Sequence, residues 1–413
     1  MRGPLTRLRE ELRARRTVRS HIWQSLANYL QQGFGLFLTI VLARILTPVD
    51  FGDFAYVAAT VFLCFLPATW SLTPIMLADG ARSPDLYRRI LGGSWIIASV
   101  KVLILAALIG WFLYTQRWQL ALLALAVGAP EALREIVNSN KTWLEGAGNF
   151  KPNSISAGVG AVIIVLTMIP AAFAGCGSLA LAIPGIVGLL SDFFVYRHYG
   201  RKEFWAPLDW RALRSLLRSG LWIWLGAISD IGIFRMDKWF VGYYAGSDML
   251  GQYTRAFNFA PLSQLALSSF LANPTVSALA RSENQRQRRR LFLKTAAVVT
   301  FGSIVNWALW WFYAPQLVPF IFGKQWAPAI PLFKTFSILS GCYVLYFLPA
   351  TVLFAFKRYR ELAIVRMMAF AVFVIWLAAG RGNVTPEQVG WMLQLTLAIQ
   401  GAVLFGRVFF LLR

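Results

Sequence analysis

Asp230, Arg235, Asp237 and Lys238 fall within one apolar stretch of the sequence, near 216–240. An ionised side chain in hydrocarbon costs several kcal/mol unless it faces a partner or a wet cavity. Asp230 and Asp237 stand two helical turns apart and share a helix face. Such a face could hold an ion-coupling or gating acid, with the basic neighbours binding a substrate phosphate. For Asp237 and Lys238 a second reading stands beside this one, a position at the outer membrane interface where charge costs little. Asp230 and Arg235 lie deeper in the stretch.

Other charges sit in similar surroundings. Glu131, Arg134 and Glu135 fall within one helical turn and can pair as i, i+3 neighbours, either as a structural ion pair or as a proton site. Arg44, Lys101, Arg255 and Lys334 are isolated basic residues that a pyrophosphate could meet. Lys101 and Lys334 could equally snorkel toward an interface. Gln24, Asn28 and Gln31 recur at i, i+4 and i+7, giving a polar stripe with Gln32 beside it. Neutral donors and acceptors on a wet face suit sugar hydroxyls, and buried amides also pack helices together.

The remaining chemistry is sparse. Cys64, Cys176 and Cys342 are far apart and have no metal-ligand spacing. His21 and His198 are equally isolated. No G-x-x-x-x-G-K-[ST] loop is present, so the sequence offers no site for ATP hydrolysis. No cofactor and no metal are expected.

These residues need long apolar elements to carry them, and the composition supplies such elements. Apolar residues make up 58% of the 413 and charged residues only 14%, a balance that a water-soluble globule would satisfy only by exposing grease. Taking windows of about 20 apolar residues, spans are expected near 22–44, 54–78, 90–114, 119–138, 153–174 and 178–198. Six more follow near 216–240, 254–279, 291–313, 328–355, 360–379 and 388–410. The expectation is an all-α polytopic membrane protein of about twelve transmembrane helices.

The net charge is +22. In a soluble domain that excess would suggest nucleic acid. Here the basic residues gather in alternate connections, as in Arg82, Arg88 and Arg89, in Arg197 through Arg218, and in Arg281 through Lys294. That is the positive-inside pattern, with both termini cytoplasmic and anionic lipid as the partner. Only Arg44, Arg117, Lys324 and Arg381 fall on the opposite side. The segment 1–20 carries Leu5, Leu8 and Leu12 among arginines, as a basic amphipathic surface helix would. The first span is expected to double as the insertion signal.

The halves echo each other. Asp50-Phe51-Gly52-Asp53-Phe54 is matched by Asp248-Met249-Leu250-Gly251-Gln252-Tyr253, and Arg88-Arg89-Ile90-Leu91 by Arg289-Arg290-Leu291-Phe292. Recurrence in order at a near-constant offset implies two six-helix lobes related by an axis along the membrane normal, with substrate between them near mid-membrane. The expected organisation is a basic segment at 1–20, a lobe at 21–199, a cytoplasmic linker at 200–215 and a second lobe at 216–413.

Three stretches carry a family resemblance: Leu42 to Gly52, Met236 to Ala256, and Phe322 to Ala329. Through them the chain resembles the oligosaccharide and polysaccharide flippases of the multidrug/oligosaccharidyl-lipid/polysaccharide exporter superfamily. The resemblance implies a secondary transporter that moves polyprenyl-pyrophosphate-linked repeat units across the bacterial inner membrane by alternating access. Polysaccharide polymerase or export proteins would be its partners, and H+ or Na+ a coupling ion. On that reading Gln24, Asn28, Gln31, Arg44, Arg235 and Arg255 are cavity candidates, and Asp230, Asp237, Glu131 and Arg134 are ion-coupling or gating candidates. Two alternatives stand: a drug or cation exporter of the same superfamily, which wants acids dominating the cavity, and a multi-span polymerase or ligase, which wants a large outer loop.

Overall fold

The structure is a computed structural model that describes residues 33–35, 37–70, 83–147, 149–207, 209–262, 284–380 and 383–411. Helices dominate, and no strand occurs among the described residues. Eight helices there are long and apolar enough to cross a membrane, and Gly33–Ile45 is a shorter apolar helix, α1. Much of the first and eighth expected spans lies outside the described residues, as do Gln24, Asn28, Gln31 and the segment 1–20.

The helices start where local chemistry lets them. Thr47 caps α2 (Pro48–Phe65) in a reciprocal box: its hydroxyl accepts from the Asp50 amide, and the Asp50 carboxylate accepts from the Thr47 amide at 2.9 Å. Such caps satisfy donors that a helix start leaves orphaned, worth about 1 kcal/mol each. Proline at the first position, with φ already helical, adds to this. The motif from Asp50 to Phe54 is therefore already helical, and α2 begins at Pro48 rather than near 54.

The chain divides into two compact units. One comprises Pro67–Gly220 with the segment ending at Ile45, and the other comprises Leu46–Leu66 with Leu221–Arg413.

In the first unit α3 (Pro84–Tyr114) packs along α4 (Trp118–Gly146), and α4 and α5 (Lys151–Phe173) both pack on α6 (Ile183–Tyr199). The connection after α6 is fastened to this bundle by directional bonds. Asn140 donates to the Arg201 carbonyl and accepts from the Arg201 amide, both at 3.0 Å. The Tyr87 hydroxyl donates to the Glu203 carbonyl at 2.8 Å, and Arg88 forks onto the Glu203 carboxylate with two bonds of 3.2 Å. The Arg201 guanidinium lies 5.1 Å from the ring centres of both Tyr87 and Trp143. The segment around Arg201 and Glu203 is thus a strap on this bundle.

From Leu221 onward α7 (Trp210–Phe259) belongs to the second unit; it runs through the expected loop between the seventh and eighth spans and breaks only at Gly246, whose φ of 83° and ψ of 172° suit glycine. Beyond it, α8 (Gln285–Phe322) packs on α9 (Ile330–Ser337) and α10 (Leu339–Ala355). The expected tenth span is thus built in pieces, opened by a 3-10 turn at Lys324–Ala329 that contains Pro328. α11 (Tyr359–Gly380) and α12 (Pro386–Leu411) complete the unit.

One contact in this unit joins the two echoing motifs. A Cβ on Gly52 would lie 1.7 Å from the Ser247 carbonyl oxygen, and one on Gly251 would lie 1.8 Å from that of Pro48. The start of α2 and the arm of α7 beyond Gly246 therefore touch backbone to backbone, the close approach that small residues permit between membrane helices. Across the same junction the Ser247 hydroxyl donates to Asp53 at 2.5 Å.

Large side chains such as Leu103, Leu166, Phe301 and Ile375 point outward and are more than half exposed. With lipid as the solvent they need no cover. Trp118, Tyr243 and Tyr313 are also exposed, as residues of an aromatic belt would be.

Candidate functional site

The second unit contains a cleft of about 490 Å3 whose lining includes Phe62 of α2, Asp230, Phe234 and Arg235 of α7, Tyr346 and Thr351 of α10, and Arg366 of α11. Asp230 is its pivot. The Arg366 guanidinium lies 2.9 Å from the Asp230 carboxylate, and the Tyr346 hydroxyl donates a hydrogen bond to the same group. Arg366 also stacks against the Tyr346 ring, 5.6 Å from its centre. Its Nε is buried and has no hydrogen-bond partner among the described residues. Arg235 lies 4.2 Å from the centre of the Phe62 ring.

Two guanidinium groups and one carboxylate give the cleft a net positive balance before any ligand enters. Arginine's planar fork suits phosphate oxygens, and at low dielectric such charge-assisted bonds are roughly twice as strong as neutral ones. Thr351 is a neutral lining residue whose hydroxyl donates to the Phe347 carbonyl at 2.5 Å.

Asp237 does not line this cleft. It is fully buried and makes an ion pair with Lys238 at 3.3 Å, while the Tyr253 hydroxyl donates to it at 3.0 Å. The Lys238 ammonium also donates to the Phe234 carbonyl at 3.0 Å and lies 3.6 Å from the centre of the Phe257 ring. Lys238 and Tyr253, its hydrogen-bonding partners, both belong to α7, Tyr253 on the arm beyond Gly246.

Arg255 is likewise enclosed, but by rings. Its guanidinium sits 3.9 Å from the centre of Phe51, 5.2 Å from Trp326 and 5.7 Å from Phe322. Nε and Nη2 are buried with no hydrogen-bond partner among the described residues. The first and third of the stretches that carry the family resemblance supply the rings, and the second supplies the guanidinium they enclose. Gln325, from the third stretch, also donates to the Leu46 carbonyl of the first at 3.2 Å.

In the first unit the candidate charges resolve into pairs. Arg134 bonds Glu131 at 3.2 Å, and Lys101, 1% exposed, meets Glu135 at 3.7 Å. Arg44 is exposed on α1. Lys334 lies over the Trp311 ring at 5.8 Å. Among the described residues no cluster of three metal-ligating side chains occurs.

Of the expected site residues, the cleft brings together Asp230 and Arg235. Sequence reasoning missed Arg366 and Tyr346. Arg366 stands seven residues into α11 among apolar neighbours. That position is the signal that could have identified it.

Long apolar helices carrying paired charges inside their bundle define a polytopic α-helical membrane protein, and known structures extend that description. The fold is similar to that of lipid II flippase MurJ in an inward closed conformation, with a TM-score of 0.69 at 13% identity, covering 94% of this chain and 87% of that one. It is also similar to an inward-facing multidrug resistance MATE family transporter of the MOP superfamily, with a TM-score of 0.67 at 14% identity, covering 92% and 94%. Residues 41–331 match a family of polysaccharide biosynthesis proteins, and the chain belongs to that family. Among curated proteins it is similar to the lipopolysaccharide biosynthesis protein WzxC of Escherichia coli (strain K12), 20% identical over 349 residues that cover 79% of this chain and 67% of WzxC.

Proposed function

We propose that the protein is a secondary transporter that flips a polyprenyl-pyrophosphate-linked oligosaccharide across the bacterial inner membrane by alternating access, with both termini cytoplasmic. The observation that carries this reading is the cleft in which Arg235 and Arg366 outnumber Asp230. A diphosphate bears two or more negative charges, and arginine forks bind such groups directionally. Membership of a polysaccharide biosynthesis family makes a sugar-bearing lipid the natural bearer of that diphosphate. A drug or cation exporter would need the opposite charge balance in the same place. The sugar-binding surface falls to the polar stripe of Gln24, Asn28 and Gln31, and H+ or Na+ remains the candidate coupling ion.

The test is transport in proteoliposomes with a labelled polyprenyl-diphosphate oligosaccharide. Arg235→Gln is expected to cut the initial rate by at least about tenfold, the effect of losing one charge-assisted contact. Retention of full transport in Arg235→Gln, at normal protein levels, would remove the cleft from the pathway.

A further inference from the structure

The cleft itself contains an anion, the Asp230 carboxylate, placed where a phosphate oxygen would bind. It is held on one side by Arg366 at 2.9 Å and on the other by the Tyr346 hydroxyl. We infer that Asp230 is a resident counter-ion which the ligand displaces: a phosphate oxygen takes the place of the Asp230 carboxylate on Arg366, and Asp230 keeps Tyr346. The inference rests on the proposed function and adds to it the residue that receives the phosphate and the residue that competes for it.

Three observations converge on this exchange. Arg366 spends only part of its fork on Asp230, because its Nε is buried and has no partner among the described residues. A guanidinium whose donors are incompletely used by Asp230 has hydrogen bonds to gain when a phosphate with more oxygens takes the carboxylate's place. Asp230 has a second anchor in Tyr346, so releasing Arg366 does not leave the carboxylate without a hydrogen bond. Arg235 lines the same cleft against the Phe62 ring, so the incoming anion meets another cation there. Burying an arginine without an anion is costly, and a carboxylate that fills the gap keeps the unloaded state stable. The same carboxylate weakens loading, because the ligand must compete with it. Release is correspondingly easier, since Asp230 can return to Arg366 as the ligand leaves.

Equilibrium binding to the purified full chain in detergent tests this, with geranyl diphosphate and inorganic pyrophosphate as probes. Asp230→Asn removes the competing charge and keeps the shape, so affinity is expected to rise about tenfold. Arg366→Gln is expected to lower it by at least about tenfold, and Asp230→Asn added to Arg366→Gln to give no gain, since the competitor acts only through Arg366. Arg366→Lys, which keeps the charge for Asp230 but loses the fork, covers the case of a poorly folding glutamine variant and is expected to weaken binding several-fold. A gain in Asp230→Asn confined to geranyl diphosphate assigns the site to a lipid-linked anion, and an equal gain with inorganic pyrophosphate assigns it to the free anion; either supports the exchange. Unchanged or weaker binding in folded Asp230→Asn, or native affinity in Arg366→Lys, overturns it. If only Arg235→Gln loses binding, the proposed function survives and the exchange does not. If neither arginine matters, both fall.

Discussion

Substitution of Asp237 by Asn should destabilise the second unit severely, and the structure fixes the scale. Asp237 is fully buried, and Lys238 is 4% exposed at 3.3 Å from it. At an effective dielectric near 20, two unit charges at that distance attract by about 5 kcal/mol. Asn keeps the shape and can still accept from Tyr253, so the loss is concentrated on Lys238. Breaking a buried pair from one side costs roughly 3–5 kcal/mol, because the partner charge remains without compensation. For a unit of this size the midpoint of thermal unfolding in detergent should fall by about 10 °C. Asp237→Asn with Lys238→Met removes both charges, and replacing a buried pair by an apolar group is often neutral. The double variant should therefore recover most of the lost stability. A single variant as stable as the native chain, or a double variant no better than the single, would refute the view that this pair is a coupled structural element.

Three further outcomes are expected. Gly251→Ala places a Cβ 1.8 Å from the Pro48 carbonyl oxygen, so the α2 and α7 contact must open at a cost of about 1–3 kcal/mol, measured as a lower melting midpoint; Ala at Gly185, where a Cβ meets nothing within 4 Å, should be silent. The Arg88 guanidinium, bonded to Glu203, holds that carboxyl below its ordinary value of 4.5, with Arg201 adding to the effect against partial burial. A depressed folded value means the contribution is complete above 4.5 and is lost as pH falls through the folded value, so the protection of strap amides against hydrogen exchange, taken relative to their intrinsic rates, should fall in that window, and Glu203→Gln should abolish the dependence. Asn140→Ala removes both bonds to Arg201 and should raise proteolytic cutting between 200 and 209 at neutral pH; an unchanged cutting rate would mean the other strap bonds suffice.

The helices were legible in the sequence because a bilayer imposes one rule on every span, namely about 20 apolar residues with all backbone groups satisfied internally. Boundaries were less legible. The capping box at Thr47 and Asp50 was in plain view, yet the acidic pair Asp50 and Asp53 reads as a loop when apolar windows alone are counted. The extension of α7 through the expected loop follows from Gly246 alone supplying the break, where a multi-residue turn was expected. Within the cleft, Asp230 and Arg235 could be found because charge in an apolar run is conspicuous. Tyr346 could not, since a tyrosine among apolar residues resembles any core aromatic and only its position opposite Asp230 gives it a role.

The stretches that carry the family resemblance and the residues that line the cleft are largely different sets, and that difference has a physical reason. Phe51, Arg255, Phe322 and Trp326 come from the three resembling stretches and close on one another around a single guanidinium. Gly52 and Gly251, in two of those stretches, set the backbone contact of α2 with α7. Such residues build a junction, and a junction tolerates little change because each member fills space that another defines. Asp230, Tyr346 and Arg366 lie outside all three stretches, on α7, α10 and α11. Their requirement is chemical: one anion and its cations must face a common space, and many pairs of helix positions could meet it. Family resemblance therefore reports how the second unit is assembled. On the proposed function the ligand answers to the balance of charge at Asp230, which is where substitution should change binding while leaving the fold in place.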